Sequence, residues 1–280
     1  MTSQNISLPQ KPGPIGVFDS GFGGLTVLGA LRRHLPGYDY LYLGDNSRAP
    51  YGTRPFDQVY RYTLDAVRAL FARGCHLVIL ACNTASAKAL RSIQQRDLPG
   101  IDPARRVLGV IRPTAEALGS LTRSGHIGIL GTPGTVASGS YGIEIAKLHP
   151  QYTVTSHACP MWVPLVEYGE AASDGADFFV AKDLGALMAA DPLIDTIVLG
   201  CTHYPLLLPK ISAFAPEGVR IVSQGDIVAD SLADYLRRHP DMDARLTRGA
   251  SVTYLTTGEP AAFDSLAAAF TGQPVRSSRL

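Results

Sequence analysis

Short runs of aliphatic and β-branched residues alternate along the chain with longer segments whose apolar residues recur every three or four positions. The first kind predicts strands buried on both faces and the second amphipathic helices, and the alternation predicts βαβ units on mostly parallel sheets. Strands are expected at residues 15–18, 40–43, 77–81, 107–111, 127–130, 152–156, 194–199, 219–222 and 252–256. Residues 57–73 carry Val59, Leu64, Val67, Leu70 and Phe71 on one helical face, and Gly74 follows as a residue suited to ending a helix. Helices are also expected at 177–190 and 226–238.

The pattern repeats faintly. Ile15-Gly-Val-Phe-Asp-Ser-Gly21 resembles Ile127-Gly-Ile-Leu-Gly-Thr-Pro-Gly134, each a buried strand entering a glycine turn with a hydroxyl at its mouth. Val78-Ile-Leu-Ala-Cys-Asn-Thr84 resembles Ile197-Val-Leu-Gly-Cys-Thr-His203, each a buried strand ending in cysteine. The separation from Gly16 to Cys82 is close to that from Gly128 to Cys201. A duplicated α/β unit is the simplest reading; a coincidence of two strand-then-glycine patterns is the alternative.

Parallel α/β folds bind ligands at the carboxyl ends of their strands, so the residues there are the first candidates for chemistry. They are Asp19 and Ser20, Asp45 and Asn46, Cys82 to Thr84, Thr132, and Cys201 to His203. If two related halves face a shared cleft, Cys82 and Cys201 confront each other across it. Two thiols on opposite faces of a small substrate suit inversion of a carbon acid, one removing a proton and the other returning one. A free thiol is mostly protonated at neutral pH, and Asp19 and His203 stand where each could assist one of them. Without a metal, acidifying a C–H beside a carboxylate depends on hydrogen bonds from main-chain N–H groups and from Ser20, Asn83, Thr84 and Thr202.

Other readings compete. Buried cysteine is often only packing, and Cys75 and Cys159 are read that way. Cys201-Thr-His203 has no second ligand at a metal-binding spacing, so no metal is expected. Gly21-Phe-Gly-Gly24 invites a phosphate-binding reading, but Thr26 occupies the third glycine position of the dinucleotide fingerprint and Asp19 would repel a phosphate. A non-catalytic module for small anions remains the alternative from another class. No lysine follows a strand directly, which leaves nothing pointing to pyridoxal phosphate.

Composition narrows the partners. The 280 residues are 46% hydrophobic and 18% charged, ample for one large or two modest folded domains. Twenty-five basic against 24 acidic residues leave a net charge of +1, giving no field for nucleic acid or an anionic membrane. No apolar run approaches the roughly 18 residues of a spanning helix, and residues 1–14 lack the form of an export signal, so a cytoplasmic location is expected. Four cysteines make no disulfide framework there.

Five segments resemble, in order, the signatures of the glutamate racemases: Gly16-Val-Phe-Asp-Ser-Gly-Phe-Gly-Gly-Leu-Thr-Val27, Gly44-Asp-Asn-Ser-Arg-Ala-Pro-Tyr-Gly52, Ala81-Cys-Asn-Thr-Ala-Ser86, Pro164-Leu-Val-Glu167 and Gly200-Cys-Thr-His-Tyr-Pro205. The resemblance spans most of the chain and implies a cofactor-independent isomerase that supplies D-glutamate for peptidoglycan. It implies Cys82 as the thiol serving D-glutamate, assisted by Asp19, and Cys201 as the thiol serving L-glutamate, assisted by His203 and Glu167. It implies substrate contacts from Asp19, Ser20, Tyr51, Gly52, Asn83, Thr84, Thr202 and His203; Tyr51, Gly52 and Glu167 enter through the resemblance alone. Two pseudo-symmetric α/β domains are implied, with mostly parallel sheets and the site in the cleft between them. Their expected boundaries are 1–112 plus 215–280 for the first and 113–214 for the second. A small-molecule substrate and a homodimer are implied as well.

Related racemases share the two-thiol plan. Aspartate racemase carries a second motif resembling Gly-Cys-Thr-Glu, unlike Gly200-Cys-Thr-His203 here; hydantoin racemase is a further relative, and arylmalonate decarboxylase keeps one thiol. One departure is Ile111-Arg-Pro-Thr114, where the family commonly has Pro-Gly; it is expected to alter a turn more than the chemistry.

Overall fold

The computed structural model describes residues 11–280. Residues 1–10 lie outside the described residues, and with them most of the segment judged not to be an export signal. Among the described residues, ten strands form two all-parallel sheets. The first holds β1 (Ile15–Asp19), β2 (Tyr40–Gly44), β3 (Leu77–Leu80), β4 (Arg106–Gly109), β9 (Val252–Thr256) and β10 (Ser277–Arg279) in the order β10-β9-β2-β1-β3-β4. The second holds β5 (His126–Gly131), β6 (Thr153–Ala158), β7 (Thr196–Gly200) and β8 (Arg220–Val222) in the order β6-β5-β7-β8.

The order β2-β1-β3-β4 in one sheet and β6-β5-β7-β8 in the other is the same topology. The two echoes seen in the sequence fall on equivalent strands, β1 with β5 and β3 with β7. In each sheet the chain reverses its direction of winding between those two strands, which is where open α/β sheets leave a crevice for ligands. Asp19 and Cys82 leave the switch point of the first sheet, and Thr132 and Cys201 that of the second.

Each sheet is covered on both faces, which is why its strands read as unbroken apolar runs. In the first, Ile15, Val17, Tyr40, Tyr42, Leu77 and Ile79 pack with helices Gly24–His34, Gly225–Arg238 and Pro260–Thr271, while Phe18, Leu41, Leu43, Val78 and Leu80 pack with helix Phe56–Ala72. That helix buries Val59, Leu64, Val67, Leu70 and Phe71 and hands over to Gly74 at φ +94°, a conformation that costs a side chain but not glycine. In the second sheet Ile197 and Leu199 pack with helix Asp174–Ala190, and Ile127, Ile129 and Val198 with helices Ile111–Ala117 and Ser140–Leu148.

All nine expected strands are present, and β10 is an addition at the sheet edge. The return to the first domain was expected near residue 215, but Ile221 of β8 still pairs with Ile197 of β7, so the second sheet extends past that point. Thr114 lies inside helix Ile111–Ala117 rather than in a turn. Among the described residues, no helix is long and apolar enough to cross a membrane.

Candidate active site

Cys82 follows β3 and caps helix Asn83–Lys88, its sulfur accepting the Ala85 N–H at 3.4 Å. Its own S–H points at Ser20 Oγ, also 3.4 Å away. Burial, reinforced by the Asp19 carboxylate, pushes the Cys82 thiol up to about 12, although Ser20 and the Ala85 N–H pull the other way. The Cys82 thiol therefore keeps its proton at neutral pH. Asp19 is itself 1% exposed, and burial raises its carboxyl above the ordinary carboxylate range against the opposing pull of His203 and the Gly21 and Gly24 N–H groups.

Cys201 follows β7 and lies 3.9 Å from His203 Nδ1, and His203 Nε2 lies 2.9 Å from Glu167 Oε1. Burial of the imidazole disfavours its charge, but the contacts with Cys201 and Glu167 outweigh burial and bring it up to about 10. His203 therefore carries its proton at neutral pH beside the second sulfur. The two sulfurs thus lie in different electrostatic surroundings: the Asp19 carboxyl acts on Cys82, and an imidazolium backed by a carboxylate stands beside Cys201.

The two sides meet closely. Thr202 Oγ1 donates to Asp19 Oδ1 at 3.4 Å, and Thr26 Oγ1 donates to Thr202 O at 3.1 Å. A Cβ placed on Gly23 would lie 2.2 Å from Thr202 Oγ1 and 2.5 Å from His203 Nδ1. Gly23 is therefore explained by the close approach of this loop to the Cys201 loop, and Gly24 by its packing against Asp19. On the other flank the hydroxyls of Thr84, Thr132 and Thr135 form a triangle with sides of 3.0, 3.1 and 3.1 Å, and Gly134 N–H donates to Gly52 O at 2.7 Å.

Direct contacts thus pair Cys82 with Ser20, Asp19 with Thr202, and His203 with both Cys201 and Glu167, while Asn83, Thr84 and Gly52 bridge the two sheets. Tyr51 is fully buried and its hydroxyl is committed to Asp45, a carboxylate that also binds Arg48. The hydroxyl of Tyr51 is therefore not offered to the cleft.

Gln224 was not anticipated. It accepts from Asn83 Nδ2 at 2.7 Å and donates to Tyr141 Oη at 2.7 Å and to Thr114 Oγ1 at 2.8 Å; Tyr141 in turn donates to Asn83 Oδ1 at 2.6 Å. This buried network ties the residue after Cys82 to the second sheet. Gln224 stands two residues past β8, so the strand-end rule applied with that strand in the second sheet would have found it. Gln224→Ala strands a buried Asn83 N–H and is expected to cost about 1–3 kcal/mol, or several degrees in thermal midpoint. An unchanged thermal unfolding curve would show that the network contributes nothing to stability.

Comparison with known proteins places this geometry. The family model described as Asp/Glu/Hydantoin racemase matches residues 26–232. The chain is 43% identical over 267 residues to the glutamate racemase of Ruegeria pomeroyi, covering 91% of this chain and 96% of that protein. It superimposes on a glutamate racemase isoform from Bacillus anthracis with a TM-score of 0.87 at 34% identity, covering 97% and 98% of the two chains. A Francisella tularensis glutamate racemase solved in complex with D-glutamate gives 0.83 at 28% identity, covering 95% of this chain and 96% of that one. The chain belongs to the Asp/Glu/hydantoin racemase family, within its glutamate racemase branch.

Proposed function

We propose that this isomerase interconverts L- and D-glutamate by two-thiol proton transfer at Cα, with Cys201 acting on the L enantiomer and Cys82 on the D. The observation that carries the reading is the pair of buried cysteines at the ends of equivalent strands, Cys201 against His203 and Cys82 within the influence of Asp19. In the L-to-D direction Cys201, as thiolate, takes the Cα proton, and the electron pair left on Cα is delocalised into the adjoining carboxylate. Cys82 then delivers its S–H proton to the opposite face. Both sulfurs end in the opposite protonation state, and Asp19 and His203 exchange protons with them to reset the site.

Hydroxyls and main-chain N–H groups from Ser20, Asn83, Thr84 and Thr202 hold the substrate carboxylate, where they oppose the charge that develops in the transition state. The reaction as written needs no cofactor. Its product would enter peptidoglycan precursor synthesis in the cytoplasm, and the enzyme would act as a homodimer.

The test is chelator-treated protein with L-glutamate in deuterated buffer without pyridoxal phosphate, followed by optical rotation and by NMR at Cα. Rotation should decay while deuterium enters the product. Exchange of aspartate but not glutamate would overturn the substrate assignment, and no exchange of either would favour a non-catalytic anion-binding module.

A further inference from the structure

A second cluster of metal-binding side chains lies in the second sheet, outside the thiol pair. His157 and Cys159 leave the end of β6, and Asp183 faces them from helix Asp174–Ala190. One donor atom from each of the three lies within 4.8 Å of the other two. Cys159 is 1% and Asp183 4% exposed, whereas the His157 side chain is 29% exposed and gives a route in from solvent. His157 Nε2 approaches Asp183 Oδ1 at 3.2 Å, but Asp183 Oδ2 is buried with no hydrogen-bond partner. An unpartnered carboxylate oxygen is costly in a protein interior, and this one leaves an acceptor free at the cluster.

We infer that His157, Cys159 and Asp183 form a binding site for a divalent transition metal of the zinc type. Imidazole nitrogen, thiolate sulfur and carboxylate oxygen are the three ligand types zinc takes, while magnesium and calcium prefer oxygen alone. The charges balance: binding releases the thiol proton, and a thiolate with a carboxylate neutralises a dication. Three protein ligands leave a fourth position for water.

The site adjoins the catalytic machinery without being part of it. Tyr204 donates to the Cys159 carbonyl at 3.2 Å, and helix Trp162–Glu167, which presents Glu167 to His203, starts just beyond Pro160. A bound ion would clamp the end of β6 to helix Asp174–Ala190 beneath that helix. The spacing of His157 to Cys159, with Asp183 a helix away, matches no ligand motif and left Cys159 looking like packing.

The probe is cobalt(II) titrated into chelator-treated full-length protein under reducing conditions, followed by zinc competition and metal analysis. One equivalent should bind with a sulfur-to-cobalt charge-transfer band in the near ultraviolet, and zinc should displace it and raise the thermal midpoint. Cys159→Ser should abolish the band. His157→Ala, at a partly exposed position, should weaken binding by at least about tenfold, because even loss of an outer partner does so. Cys82→Ala and Cys201→Ala should leave the band unchanged. The inference is overturned if no cobalt binds, or if the band is lost with Cys82 or Cys201 and kept in Cys159→Ser. Neither result bears on glutamate racemisation, which the deuterium experiment tests separately.

Discussion

Cys82→Ser and Cys201→Ser are each expected to lose racemisation in both directions by at least about a thousandfold, within the range that positioned acid–base groups supply. Inversion needs a proton removed on one face and delivered on the other, so neither half of the transfer suffices. Serine is the informative replacement at Cys82, whose sulfur accepts the Ala85 N–H and so caps a helix. A hydroxyl keeps that acceptor, whereas alanine would add a capping loss of roughly 1 kcal/mol to the chemical one. The folded population should be unchanged in circular dichroism, so loss of turnover reports chemistry.

The surviving thiol gives a second readout. In deuterated buffer Cys82→Ser should still exchange the Cα hydrogen of L-glutamate through Cys201, without inversion, and Cys201→Ser should still exchange that of D-glutamate through Cys82. Reversed exchange would swap the faces assigned to the thiols. A variant with near-normal turnover in both directions would end the two-thiol scheme.

His203→Asn is expected to reduce kcat for L-to-D conversion about a hundredfold and the reverse kcat less, because His203 contacts Cys201 and not Cys82. One equilibrium constant ties the two kcat/KM values together, so the asymmetry must be sought in kcat and KM separately. Asparagine keeps a hydrogen bond toward Glu167 but cannot carry the proton. The substitution should also change stability against pH. Imidazole free in an unfolded chain titrates near 6.5, and in the fold it holds its proton up to about 10. A folded-state value raised in this way contributes stability that is complete below about pH 6.5 and disappears as pH rises through about 10. The difference in denaturation midpoint between the original chain and His203→Asn should therefore shrink across that interval. Full activity with an unaltered pH profile would show that His203 takes no part in proton transfer.

Which elements were readable in advance follows from what specifies them. Strands such as Leu77–Leu80 and Thr196–Gly200 are buried on both faces, so their whole sequence is constrained to be apolar and they stand out. Strand β10, Ser277–Arg279, is a short polar edge held by backbone pairing to β9, and no side-chain pattern marks it. Tyr51 shows the limit for site residues: its motif implies a substrate contact, while its hydroxyl turns toward Asp45, a partner six residues earlier that only the folded loop brings into reach.

Read alone, the order of residues is enough for the α/β class, the internal echo and the pair of strand-end cysteines that the proposed mechanism uses, because each is local: a strand, the turn that ends it and the residue at its mouth lie within a few positions. The tertiary structure decided which sheet receives β8, and with it the network of Gln224 with Asn83, Tyr141 and Thr114. It also decided that Gly23 makes room for Thr202 and His203, and that His157, Cys159 and Asp183 converge. These depend on segments far apart in the chain meeting at distances of a few ångströms. Hydrophobic periodicity fixes which face of an element is buried but carries no information on which distant polar side chain it will meet there.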